Sequence, residues 1–258
     1  ISKFISTIDI LQNKVYVSIK FNYCKPVIDN NYHKSYINVK NIRHPLIEHI
    51  QQNELYVSND VILGKDNQDG ICLFGTNAVG KTSLIKSIGM NIILAQSGFY
   101  TACSEFIYIP YKQLFTRILN NDNMFKGLST FAVAMCELRN IINMADNNSL
   151  ILGDELCSGT ENISAISIFI SGLKTLHNRK SSFIFATHFH EINNISQIHL
   201  LQNLKMKHMS VLYDHVVQKL IYDRKIKDGP GESIYGLEVC KSLLMPHDFI
   251  DDAYEIRK

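Results

Sequence analysis

Two rhythms of apolar and polar positions run along this chain, and the changes between them mark out its elements. Residues 71–74, 150–153 and 183–186 are short runs that are apolar nearly throughout. Such runs read as strands buried on both faces. Between and beside them, apolar residues recur every three or four positions over residues 82–96, 129–145 and 161–177. These are amphipathic helices, and Gly98 is placed to end the first. Strand, helix, strand, helix, strand predicts an α/β fold with a mostly parallel sheet flanked by helices. Residues 200–228 alternate as antiparallel strands do. Residues 36–39 and 55–57 read as short strands around a turn at Arg43-His44-Pro45, and residues 107–121 as irregular chain with aromatic content. Residues 1–11 read as the end of a helix, and residues 14–21 as a strand or short helix. Two short helical patterns close the chain, the second opening near Pro246, where a proline suits the first turn.

Composition narrows the picture. Over 258 residues, 46% are hydrophobic, enough for one large domain or one domain with a small appendage. Lys and Arg number 26 against 24 acids, a net charge of +2. That balance supplies no strong field for nucleic acid, so DNA contact by this piece is expected to be minor or to belong to another domain. No apolar run is long enough to span a membrane, and no secretory signal opens the chain. The six cysteines, Cys24, Cys72, Cys103, Cys136, Cys157 and Cys240, form no CxxC pair. Zinc is therefore not expected, and a reducing compartment fits best. The chain begins with Ile, which suggests a piece of a longer protein.

The chemistry starts at Gly75-Thr76-Asn77-Ala78-Val79-Gly80-Lys81-Thr82, followed by Ser83. This matches GxxxxGK[ST] between an apolar strand and a helix, the context a phosphate-binding loop requires. Its glycines let successive N–H groups turn toward phosphate oxygens, and the helix adds its positive end. Lys81 would reach the β- and γ-phosphates, and Thr82 would ligate Mg²⁺ through its hydroxyl.

Residues 150–153 lead into Asp154-Glu155, and residues 183–186 lead into Thr187-His188. Charged groups at the C-terminal ends of buried parallel strands reach the sheet edge where ligands bind. Asp154 can hold the Mg²⁺ shell, Glu155 can orient or deprotonate the attacking water, and His188 can contact the γ-phosphate or that water. His188 and His190 form an HxH pair, but no nearby cysteine completes a zinc set.

An acid pair followed by a strand-end histidine is the pattern of ATP-binding cassettes. The NKxD motif of GTPases and the LSGGQ signature of transporter cassettes are both absent; residues 127–131 read Gly-Leu-Ser-Thr-Phe. Several segments, in order, resemble the MutS family's ATPase domain. Arg43-His44-Pro45 with Glu48 is similar to its RHP turn, and Asn77 to the Asn of its GPNxxGKS loop. Phe115-Thr116-Arg117 with Ser129-Thr130-Phe131 resembles FTR…STF. Asp154-Glu155 with Gly159-Thr160 resembles DExGRGT, and Ala186-Thr187-His188-Phe189 resembles ATHY. Asp228-Gly229 with Ser233-Ile234-Tyr235-Gly236-Leu237 resembles DG…SYGLxVA.

The resemblance implies a P-loop fold of ATP-binding-cassette type spanning residues 41–235. The end of an upstream core domain would precede it in residues 1–40, and a helical segment at 236–258 would pack on a partner. It implies ATP and Mg²⁺ as ligands, and a dimer with itself or a paralogous subunit in which Ser129 and Thr130 face the partner's γ-phosphate. Tyr56 falls where an aromatic ring stacks on adenine, and Arg224 where a cation covers the other face. DNA would be contacted through domains upstream of the chain. Departures are Val79 for a glycine, Leu128 for an arginine, Ala134 for an acid and Cys157-Ser158 for Gly-Arg. They bear on hydrogen bonding and coupling across the dimer, not on cleavage of ATP. A MutS-like recombination protein, a transport-linked cassette and a nucleotide-sensing dimerisation module remain alternatives at this stage.

Overall fold

The structure is a computed structural model that describes residues 1–50, 55–118, 130–157, 160–214, 219–231, 236–243 and 245–257. Helix α1 (Ser2–Phe21) is followed by strands β1 (Val27–Ile28) and β2 (Tyr36–Ile42), the short α2 (Ile47–Ile50) and β3 (Asn59–Leu63). Then come β4 (Gly70–Phe74), α3 (Lys81–Gln96), β5 (Glu105–Ile109), β6 (Gln113–Arg117), α4 (Thr130–Met144) and β7 (Ser149–Asp154). Helix α5 (Asn162–Asn178), β8 (Ser182–Thr187), a 3-10 turn (His190–Asn194) and α6 (Ser196–His199) follow. Strands β9 (Leu204–Asp214) and β10 (Lys219–Asp228) and helices α7 (Gly236–Ser242) and α8 (His247–Arg257) complete the order.

The main sheet has six strands in the order β10-β9-β4-β8-β7-β6. From β9 to β6 every neighbouring pair is parallel, and only β10 turns back, antiparallel to β9. Strands β4, β7 and β8 are buried along their whole length, as their unbroken apolar runs require. Alternate residues feed two cores. Ile71, Leu73, Leu150, Leu152, Ile184 and Ala186 join α3 on one face. Cys72, Phe74, Ile151, Phe183 and Phe185 join α4 and α5 on the other. Gly153 makes the second core possible: a Cβ there would stand 2.1 Å from the Phe185 ring.

A second sheet, in the order β1-β5-β2-β3, is antiparallel around β2, with β1 parallel to β5. The alternating residues 200–228 form the antiparallel pair β9–β10, which extends the main sheet. Of the two readings for residues 14–21 the helical one holds: they continue α1, a helix with no buried residue. Two expectations are corrected here. Residues 107–121 are not simply irregular, since β5 and β6 hold residues 105–109 and 113–117; their aromatic side chains, Phe106 and Tyr108, are core. Residues 55–57 carry no strand, which begins instead at Asn59.

Arg43 joins α1 to this body. Its Nε donates to Glu48 Oε2 (2.7 Å) and its Nη2 to the carbonyls of Phe21 (2.9 Å) and Asn22 (3.1 Å), at the end of α1. The Arg43 carbonyl accepts from Asn91 Nδ2 (3.0 Å), which is buried in α3. The Arg-His-Pro turn is thus a joint between the first helix and the helix that Lys81 opens. No helix among the described residues is long and apolar enough to cross a membrane.

Candidate functional site

Strand β4 ends at Phe74, and the chain turns through residues 75–80 into α3. Gly75 (φ 149°) and Gly80 (φ 107°) adopt backbone that side chains disfavour, and a Cβ on Gly75 would meet Val79 Cγ1 at 3.0 Å. Ala78 also sits at positive φ (63°), so the tight loop holds a strained residue between its glycines. Val79 is fully buried in the core, which anchors the turn by its side chain. Lys81 is only 4% exposed, and its Nζ donates to the carbonyls of Gly75 (2.6 Å) and Thr76 (2.9 Å). Burial pulls its ammonium pKa below the ordinary lysine value, against the opposing pull of Glu155 and Asp154.

The next residue meets the acid pair. Thr82 Oγ1 donates to Asp154 Oδ2 at 2.5 Å. Strand parity explains the contact: Asp154 follows Leu150 and Leu152 on the face that packs on α3. The other carboxylate oxygen, Asp154 Oδ1, is buried with no hydrogen-bond partner among the described residues, and so is Thr76 Oγ1. Glu155 leaves the strand in the left-handed region (φ 49°), its amide donating to Ala186 on β8 (3.1 Å). That turn carries its carboxylate to His188, whose Nε2 lies 2.6 Å from Oε1. Both side chains are part exposed, at 41% for His188 and 29% for Glu155, so the pair opens to solvent at the sheet edge.

His190 lies two residues beyond His188, in the 3-10 turn. Its ring lies 5.0 Å from the Phe74 ring, and burial pulls its pKa down. No group of three or more His, Cys, Asp or Glu side chains suited to a metal occurs among the described residues.

On the other side of the loop, a cavity of about 220 Å³ is lined by Tyr56, Val57, Asn59, Gly80, Met209 and Arg224. Ala78 and Ser83 also reach it, so it adjoins the glycine loop directly. Burial raises the Tyr56 phenol pKa above its ordinary value, while Ser83 and Ser87 beside the hydroxyl oppose the shift. Tyr56 and Arg224, far apart in sequence, therefore share one cavity wall.

The structure brings together Gly75 to Ser83, Asp154, Glu155, His188, Tyr56 and Arg224. Ser129 lies outside the described residues, as do Ser233 to Tyr235, Ser158 and Gly159. Thr130 opens α4, and its side chain is likewise outside them. Two buried polar residues were missed. Asn91 donates to Arg43 and to the Ser87 carbonyl (2.8 Å) and accepts from the Ala102 amide (2.6 Å). As an asparagine on the apolar face of α3, it could have been singled out. Asn59 gives no such signal, because its partners are on β10.

A glycine loop between a buried strand and a helix, facing paired acids and a histidine on neighbouring strand ends, defines an α/β domain with its polar site at one sheet edge. The family model for MutS domain V matches residues 71–258, and the chain belongs to that family. A mutS homolog of Acanthamoeba polyphaga mimivirus is 38% identical over an alignment covering all of the chain and 26% of that protein. A mitochondrial DNA mismatch repair protein mutS homolog of Sarcophyton glaucum is 37% identical, covering 98% of the chain and 25% of the relative. The DNA mismatch repair protein MutS of Clostridium novyi is 33% identical, with 99% and 28% covered. The chain thus spans about a quarter of the length of these relatives.

Proposed function

We propose that this chain is a Mg²⁺-dependent ATPase of P-loop, ATP-binding-cassette type that works as a dimer and drives the DNA clamp of a MutS-like mismatch-repair protein. The observation that carries the reading is the convergence at one sheet edge of buried Lys81, the Thr82–Asp154 contact and the Glu155–His188 pair. Loop amides and Lys81 bind the phosphates; Lys81 exchanges its two loop carbonyls for phosphate oxygens. The residues fit Mg²⁺: Thr82 Oγ1 and the unpartnered Asp154 Oδ1 supply two hard oxygens, and this ion takes its remaining ligands from water and phosphate. Bound there, Mg²⁺ would neutralise charge on the transferring phosphoryl group.

Glu155 accepts the proton of the attacking water, and His188, held against it, orients that water toward the γ-phosphate. Tyr56 stacks on the base, and Arg224 covers its other face. Ser129 and Thr130 complete the site on the partner protomer. The names of the relatives support the repair context, in which nucleotide state and DNA grip share a coupling free energy and so act on each other reciprocally.

The test is ATP turnover across a range of chain concentrations, with Lys81→Ala and Ser129→Ala alongside. Specific activity should climb with concentration and vanish in both variants. Turnover independent of concentration, or untouched by Ser129→Ala, contradicts the composite dimeric site.

A further inference from the structure

Asn59 opens β3 in the smaller sheet and is 6% exposed, yet its side chain is committed to the main sheet. Its Nδ2 donates to the Arg224 carbonyl (3.0 Å), and its Oδ1 accepts from the Ile226 amide (2.8 Å). The first of these groups lies inside the stretch where the β9–β10 register shifts, between Tyr222 and Ile226, and the second closes it. The Asn59 amide thus holds the backbone of β10 at the irregularity from outside the β9–β10 pair. Arg224 lies inside the shift, in the left-handed region (φ 56°), a conformation a non-glycine residue keeps when its surroundings hold it. A bulge of this kind re-aims the side chain it carries, and Arg224 lines the cavity that Tyr56 also lines. Lys225 Nζ donates to the Ser58 carbonyl, a second tie between the same two segments.

We infer that Asn59 is a positioning residue for the base end of the site: it pins the β10 bulge so that Arg224 stands on the wall shared with Tyr56. Recognition of a purine ring is then tied to the seam between the two sheets, while the phosphates are held by the main sheet alone. This rests on the nucleotide reading proposed above. Losing the amide removes two part-buried hydrogen bonds from the bulge, which loosens it without touching the glycine loop.

The experiment compares binding of ATP and of inorganic tripolyphosphate, which lacks a base, to the full chain. Variants are Asn59→Ala, Arg224→Gly and the double substitution. Glycine accepts positive φ, so Arg224→Gly removes the side chain while keeping the bulge. Asn59→Ala is expected to weaken ATP by about tenfold and leave tripolyphosphate within about twofold, as loss of hydrogen bonds remote from the phosphates would. Arg224→Gly should do the same, and the double variant should be no worse than the worse single one. Equal weakening of both ligands by Asn59→Ala, no weakening of ATP, or effects that multiply in the double variant would each overturn the inference. Arg224→Gly keeps the test decisive if Asn59→Ala fails to fold: unchanged ATP affinity there also overturns it. Wild-type chain that binds neither ligand would sink the phosphate-loop reading itself and this inference with it.

Discussion

The two ends of the candidate site are built differently. The phosphate end comes from short stretches of chain, each at the end of a buried parallel strand, all in one sheet. Its contacts are close: Thr82 to Asp154 at 2.5 Å, Glu155 to His188 at 2.6 Å, Lys81 to Gly75 at 2.6 Å. The base end is a cavity at the meeting of two sheets, walled by residues as distant in sequence as Tyr56 and Arg224. Strand ends in one sheet share a rigid frame, so charge can be set there with little reorganisation. A seam between sheets depends on cross-ties such as Asn59, and suits the less exacting task of stacking a ring. Chemistry and recognition are thereby separated, and substitutions should sort by end.

The largest effect should come from Glu155→Gln, which keeps the size of the side chain but removes the proton acceptor. Turnover should fall by on the order of a thousandfold, with ATP affinity retained. A quench assay beside equilibrium binding separates the two, and full turnover in this variant would show that Glu155 is not the proton acceptor. Asp154→Asn comes next. Asparagine can still accept from Thr82, so folding should survive, but ATP affinity should lose its dependence on Mg²⁺, a change of about thirtyfold or ~2 kcal/mol. Titrating Mg²⁺ against wild type and variant checks this, and an unchanged Mg²⁺ response would place the ion elsewhere. The smallest effect belongs to the base end: Tyr56→Ala should weaken ATP about tenfold while leaving tripolyphosphate unaffected. Parallel losses for both ligands would erase the distinction between the ends.

The same contrast governs what could be read from the chain before its structure. Strands β4, β7 and β8 and helices α3 and α5 were legible because both faces of the sheet are covered, which leaves unbroken apolar runs. The chemistry of the phosphate end sits directly after those runs, so loop, acid pair and histidine could be placed on strand ends by pattern alone. Strands β5 and β6 were not legible. Phe106 and Tyr108 turn to the core while Glu105 is exposed, and Pro110 interrupts the run before β6. Tyr56 and Arg224 were reached only through the family resemblance, since no local pattern relates them. Asn59 was missed entirely, because its meaning lies in a register shift of β10, a property of strand pairing rather than of composition.

Both ends of the site depend on the loop at residues 75–80 holding a triphosphate through Lys81. Equilibrium binding of ATP in the presence of Mg²⁺, measured for the chain and for Lys81→Ala, tests that most directly. Saturable binding is expected, weakened by Lys81→Ala about a hundredfold or more, the loss of charge-assisted hydrogen bonds worth ~3 kcal/mol. Equal affinity in wild type and variant, with the variant folded, would contradict it.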